Sequence, residues 1–466
     1  MNEILSDYYR TSVVPKLVLT SGNHANGAGF FSFGQELICY GHCTTGVAAD
    51  VLGSGAFDAS QSVAIFDSVI RLPFDISAVI ENLRREHYVQ SLCSGEQRLA
   101  QTELIRKAYY VVRKYLPVRI RRYMQRAYFR GWQNLPLPHW PVDFTVDSLH
   151  ERFLRMTMVA QGLQTVPFIW FWPDGATSCL ILTHDVESDA GLRFCSSLMD
   201  IVTAYGFKSS FQVVPEDRYQ VPEGFADEIR ARGFEFNIHD LNHDGHLFEE
   251  REEFLRRAKK INAYAKHFNA RGFRAGAMYR NQDWLNALDF SYDMSVPNVA
   301  HLEPQRGGCC TVMPYFVGNL VELPLTATQD YSLFHIIGDY SIDLWKRQID
   351  LIRRRNGLIS FICHPDYLIE RRGRRIFECL LTHLRTTVDS HRIWAALPGV
   401  VDEWWRARHK MKLVREGTKW KIEGPGSDRA RLAYAHLDGE QVVYSVERDS
   451  TSTVGTGLSD SDGSCR

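Results

Sequence analysis

From about Ser178 onward, short apolar runs and amphipathic stretches alternate along the chain. Residues 179–183 read as a strand. The stretch behind them carries Cys195, Leu198, Met199, Val202 and Tyr205 at helical spacing, closed by Gly206. A run over 209–214 leads to a helix ending at Gly233, and a run over 234–238 leads to a long helix from Glu249 to Phe268. Gly272 opens a short run over 273–275. Further runs lie at 290–296, 319–323, 358–363 and 392–395, with a helix over 342–355 among them. Strand and helix in alternation predict an α/β fold with a parallel sheet and right-handed crossovers. About eight strands in roughly 220 residues predict a (β/α) barrel, whole or deformed.

The flanks read differently. The first hundred residues mix β-like runs at 13–19 and 62–72 with a glycine-rich stretch at 23–34 and a short helical pattern near 75–87. Residues 101–131 interleave nine basic side chains, Arg106 to Arg130, with Ile105, Tyr109, Val112, Leu116, Ile120, Tyr123 and Phe129, and Pro117 interrupts this basic amphipathic pattern. Two readings of it stay open: docking on an anionic membrane surface or a polyanion, and a solvated helical face packed on its own protein, which the break at Pro117 favours. Pro136, Pro138 and Pro141 predict an extended strap. Beyond Trp405, runs at 412–414, 420–422, 433–437 and 442–446 alternate like hairpin strands around Gly and Asp turns. The expected organisation is an N-terminal α+β region over 1–134 with a basic helix at 101–131, a strap over 135–177, a deformed barrel over 178–400, a β-hairpin appendage over 401–448 and a disordered tail over 449–466.

Composition narrows the function classes. With 54 basic and 55 acidic residues the net charge is −1, which lacks the field of a nucleic-acid binder. Aromatic residues at 12% argue against a disordered chain and offer surfaces on which a sugar can stack. Ten cysteines are dispersed without a framework, which is reduced, cytosolic usage. Cys39-x-x-x-Cys43 and Cys309-Cys310 have no second half at metal-ligand spacing. The first ten residues carry Glu3 and Asp7 and no apolar run, and no stretch of about 18 apolar residues occurs. The expected location is cytoplasmic.

The chemistry sits where the strands end. Thr183-His184-Asp185-Val186-Glu187 follows the first barrel strand, His239-Asp240-Leu241-Asn242-His243 the third, Arg274 ends the fourth, and His364 the seventh. Loops from every strand converge at this rim of an α/β barrel. His239 and His243 can turn two imidazoles to one point, and a carboxylate from a neighbouring strand completes a His₂-carboxylate set with open positions, most naturally for zinc. Surface or core histidines are the alternative. Asp185 and Glu187, two apart on an extended strand end, face one side, so one carboxylate can ligate while the other takes a proton from the attacking water. An N-cap role for one of them is the competing reading.

Leu182-Thr183-His184-Asp185-Val186-Glu187, His239-Asp240-Leu241-Asn242-His243-Asp244-Gly245, Gly272-Phe273-Arg274 and Phe361-Ile362-Cys363-His364-Pro365, in this order, resemble the successive motifs of the polysaccharide deacetylase family, the NodB-homology carbohydrate esterases. The resemblance spans residues 178–398. It implies a deformed (β/α) barrel and metal-dependent hydrolysis of acetyl groups on sugars. It makes Asp185 the general base, Glu187, His239 and His243 the ligands of a divalent ion, Arg274 the partner that orients Asp185, and His364 the general acid. Three positions depart from the pattern: Glu187 stands where Asp is more frequent, Gly276 and Ala277 replace a Pro and an aromatic, and no Trp of the fourth motif follows Asp293.

Around these residues, His184 is expected to pack, Asp240 and Asp244 either to hold imidazole N–H groups or to face water, and Asp366 to tune His364. His246, His301 and His335 read as structural or exposed. The expected activity is removal of an acetyl group, by cleavage of an amide C–N bond, from an N-acetylated sugar or glycoconjugate. The alternatives are another non-peptide C–N bond at the same metal site, or a non-catalytic scaffold attached to a membrane through 101–131.

Overall fold

The computed structural model describes residues 3–20, 27–46, 48, 49, 52, 57–92 and 118–447. The expectations for residues 101–117 and for the tail over 449–466 lie outside the described residues.

In the N-terminal part, helix α1 (Ile4–Tyr9) precedes β1 (Lys16–Leu19), and β2 (Gly29–Ser32) pairs with β3 (Ile38–Gly41). The strands β4 (Ala64–Phe66) and β5 (Val69–Leu72) form a hairpin, and β5 runs parallel to β1. Asp75 caps α2 (Ile76–Arg84) by accepting from Ser77 N at 2.8 Å and Ala78 N at 3.3 Å. Helix α3 (Val118–Tyr128) follows in the described residues.

The strap expected over 135–177 is corrected. Only its first residues are extended: α4 (Thr145–Gln161) and β6 (Thr165–Ile169) fill most of it. The apolar side chains Val146, Leu149, Phe153, Leu154 and Met158 recur at three- and four-residue spacing and are buried, and that spacing outweighs the local proline content.

The central sheet is built from β7 (Cys179–Val186), β8 (Ser210–Val213), β9 (Glu235–His239), β10 (Gly272–Arg274), β11 (Tyr292–Asp293), β12 (Tyr315–Val317), β13 (Leu320–Glu322), β14 (Leu358–Ile362) and β15 (Trp394–Ala395). Its order is β12-β13-β11-β10-β9-β8-β7-β14, with β15 also on β7. Every pairing is parallel except β12 with β13. Helices α5 (Asp189–Ala204), α6 (Phe225–Ala231), α7 (Arg251–Phe268), α8 (Asp343–Arg354), α9 (Pro365–Leu368) and α10 (Arg371–His391) lie in the connections. The expected barrel strands are present, curled into a barrel that the ladder leaves open. Among the described residues no ladder joins β13 to β14. The gap is crossed by Ala327 N–H donating to Ser360 O at 3.1 Å, and by Thr326 Oγ1, which donates to Leu358 O at 2.7 Å and accepts from Ser360 N at 2.9 Å.

Strand β7 is buried along its whole length, the pattern of a parallel strand covered on both faces. Leu180, Leu182 and Val186 pack into the core under the helices, whereas Cys179 and Ile181 point into a second core shared with the N-terminal part and β6. With a period of two, that inner row continues through Thr183 to Asp185. The apolar lower half of the row fills the barrel and the polar upper half faces its rim.

The C-terminal part is also corrected. It opens with helix α11 (Pro398–Lys410), and β16 (Lys412–Glu416) with β17 (Lys419–Glu423) forms one hairpin. The second hairpin, β18 (Leu432–Asp438) with β19 (Gln441–Val446), is not an appendage, because β18 pairs antiparallel with β6 to make a three-stranded sheet. Tyr444 packs on Phe168 and Tyr9 there, with its hydroxyl 2.8 Å from that of Tyr9, and Arg408 donates to Trp170 O and Ile169 O.

Candidate metal centre and active site

Four strand ends supply the site. Asp185 stands on the inner row of β7, Glu187 follows at its end, His239 ends β9, Arg274 ends β10, and His364 follows β14. His243 reaches the same point because the loop after β9 takes left-handed backbone at Asp240 (φ 57°) and His243 (φ 54°).

One ligating atom each from Glu187, His239 and His243 lies within 4.8 Å of the others. His243 Nε2 is 2.9 Å from Glu187 Oε1, and His239 Nε2 is 3.8 Å from the same oxygen and 3.9 Å from Asp185 Oδ2. His239 Nδ1 lies 3.2 Å from Arg274 O and donates to it, which leaves the lone pair of Nε2 facing the site. His239 Nε2 is buried without a hydrogen-bond partner, and the buried His243 Nε2 meets Glu187. Two buried imidazole nitrogens converging on a carboxylate fit a divalent cation with open positions.

Arg218 complicates that fit at one ligand. Its Nη2 lies 2.9 Å from His243 Nδ1 and donates to His243 O at 2.9 Å. With Nδ1 accepting from Arg218, the ring proton sits on Nε2. Ligation through Nε2 needs the proton on Nδ1, so Arg218 must then keep only the carbonyl.

Asp185 is held as a carboxylate. Its Oδ1 accepts from Arg274 Nη1 at 2.7 Å, and the buried Arg274 also donates to Thr183 Oγ1 at 2.8 Å and Met294 O at 3.0 Å. Burial alone pushes the Asp185 carboxyl up, but Arg274 first, then His239 and His364, bring it below the ordinary range. Glu187 is depressed further: burial opposes its charge, and the nearby imidazoles, His243 first and then His239 and His364, outweigh it.

His364 stands on the other side, with Nε2 3.6 Å from Glu187 Oε1. Its backbone N–H donates to Asp330 Oδ2 at 2.7 Å, and its Nδ1 lies 2.6 Å from Asp330 Oδ1. Burial lowers the affinity of this imidazole for a proton, yet the Asp330 carboxylate and then Glu187 raise it well above the usual histidine value. The protonated form therefore persists at neutral pH, as a proton donor requires.

Several expectations change here. Asp366 does not reach His364; its carboxylate receives the Ser188 hydroxyl and lies against Gly191. The partner of His364 is Asp330. Nothing in the sequence around Asp330 marks it, because it lies 34 positions from His364 and strand order alone brings the two together. The N-cap of α5 is Ser188, whose Oγ accepts from Gly191 N at 3.1 Å, so neither Asp185 nor Glu187 is spent on capping. Asp240 accepts from Leu241 N and Asp244 from His246 N and Arg257, so neither holds an imidazole N–H of the ligand pair. His184 packs: its Nδ1 meets Cys363 O at 2.7 Å, its ring lies against Phe211, and burial pushes its pKa down to about 4. Gly276 has a reason of its own. A Cβ there would overlap Asp240 Oδ2 and come within 3.1 Å of His243 Cδ2.

No family model and no curated protein matches the chain. Among solved structures it is similar to a Mycobacterium smegmatis protein assigned as a polysaccharide deacetylase, at 18% identity and a TM-score of 0.41, over 54% of this chain and 98% of that one. It is similar to the allantoinase Puue at 13% identity and a TM-score of 0.38, over 50% and 92%. It is also similar to the peptidoglycan deacetylase PdaC from Bacillus subtilis at 12% identity and a TM-score of 0.32, over 50% and 93%. These likenesses assign no role to any residue of this chain.

Proposed function

We propose that this protein is a divalent-metal-dependent hydrolase that cleaves the amide C–N bond of an N-acetylated sugar or glycoconjugate. One observation carries the reading: the ligating atoms of Glu187, His239 and His243 gather within 4.8 Å, with the Asp185 carboxylate and the His364 imidazole on their flanks. The sugar comes from the motif resemblance.

An amide resists hydrolysis because its carbonyl is a weak electrophile and its nitrogen a poor leaving group. A divalent ion held by Glu187, His239 and His243 supplies positive charge for the carbonyl oxygen and lowers the pKa of water. Asp185 takes the proton of the attacking water, and Arg274 keeps that carboxylate ionised and aimed. His364 delivers a proton from Nε2 to the departing nitrogen, with its ring fixed by Asp330 at Nδ1. Each proton transfer contributes on the order of a hundredfold or more to the rate.

Acetate release from N-acetyl sugar oligomers by the purified chain tests the proposal. Release should stop with chelator and fall by a hundredfold or more in Asp185→Asn. Full activity in that variant would remove Asp185 from the role of base. Release from a non-carbohydrate amide and from no sugar would keep the site and reject the sugar.

A further inference from the structure

We infer that α3 docks the protein on an anionic lipid bilayer. The inference goes beyond the proposed hydrolysis, and the docking itself does not depend on it.

Charge is distributed unevenly along this chain. Residues 101–131 carry nine basic side chains against Glu103 alone, while the other 435 residues carry 45 bases and 54 acids. Residues 118–131, which include α3, contain five arginines and no acid. The end of α3 is tied down: Phe129 is buried against Leu302 and Ile336, Arg126 Nε donates to His335 O at 3.1 Å, and Tyr331 donates its hydroxyl to Gln125. Further up the helix, Ile120 is 46% exposed, Tyr123 75% and Met124 41%. These three stand at i, i+3 and i+4, on one face.

An apolar stripe flanked by arginines is the pattern of a helix lying in a membrane interface. A nucleic acid would satisfy the arginines and leave Ile120 and Met124 facing water, whereas a bilayer takes both halves, phosphates outside and acyl chains beneath. The seat of the helix leads toward the site. Tyr331 lies tilted and His335 edge-on against Tyr367, and the Tyr367 ring is 5.2 Å from that of His364. Tyr331, His335 and Tyr367 thus stand between α3 and His364, which puts the helix on the acid side of the site but outside it.

Vesicle co-sedimentation of the full chain tests this without any turnover. With phosphatidylcholine vesicles containing about one-third phosphatidylglycerol, at about 0.1 M salt, the protein should pellet several-fold more than with phosphatidylcholine alone. Tyr123→Asp combined with Met124→Asp should cut that partition about tenfold or more while leaving the melting temperature and hydrolysis of soluble acetylated oligomers unchanged. In a Tyr123→Trp variant, emission should shift to the blue on anionic vesicles only. Equal binding to both vesicle types would overturn the inference, as would unchanged partition of the double Asp variant. Binding to single-stranded RNA, or dimerisation, that the same variants abolish while vesicles bind nothing would overturn it equally.

Discussion

Asp330 grips His364 at two atoms, accepting its backbone N–H at 2.7 Å and its Nδ1–H at 2.6 Å. This carboxylate is the largest influence raising the imidazole above its ordinary pKa against the opposing effect of burial. Asp330→Asn keeps the shape and removes the charge. A raised pKa keeps the acid form to higher pH, so the variant should lose its alkaline limb earlier, with the kcat/KM profile falling at lower pH than in the parent. At the optimum, kcat should drop by about a hundredfold. A pH profile superimposable on the parent's would deny Asp330 its part.

Arg274 acts on the opposite limb. It is the strongest influence lowering the Asp185 pKa, so Arg274→Met should move the acid limb of kcat/KM to higher pH. The same pair matters for stability. A depressed pKa stabilises the fold above the unfolded value and is lost as pH falls through the folded one. Removing one member of a buried pair leaves a charge without a partner, which costs about 3–5 kcal/mol. Thermal unfolding of Arg274→Met at pH 7 should show that loss, and the deficit should shrink toward acid as Asp185 protonates.

The ligand set predicts a stoichiometric ion. Elemental emission on the purified chain should find about one divalent ion per molecule, and added zinc should raise the melting temperature by mass action. Glu187→Gln and His243→Ala should each abolish the rise. Arg218→Met should strengthen zinc binding about tenfold by calorimetry, because Arg218 favours the His243 tautomer that cannot ligate through Nε2. Weaker binding in that variant would reject this account of Arg218.

Gly276→Ala offers a backbone test. The added methyl would press on Asp240 and the edge of His243, so zinc affinity should fall about tenfold or more, in the manner of other changes that disturb ligand orientation. The His364 limb of the pH profile should not move.

The barrel was legible because most of its strands are apolar runs buried on both faces and four of them, β7, β9, β10 and β14, lead into polar residues at the rim, with β7 and Asp185 the clearest case. Strand β12 was not, since it is three residues long and antiparallel beside β13. The prolines at 136, 138 and 141 masked the helix that begins at Thr145, only four residues beyond the last of them. Asp185, Glu187 and the two histidines announced themselves by type and spacing. Asp330 and Arg218 did not, because each acts through a residue 25 or more positions away, a relation that strand order creates and sequence distance conceals.

Thr326 and Ala327 fasten a seam where the sheet lacks continuous pairing, and Asp330 and His364 stand on its two lips. His364, the proposed proton donor, is therefore also a stitch. A bulky ligand that wedges those lips apart would draw the imidazole from its carboxylate, so tolerance for girth and the hold on this ring are tied to a single clasp.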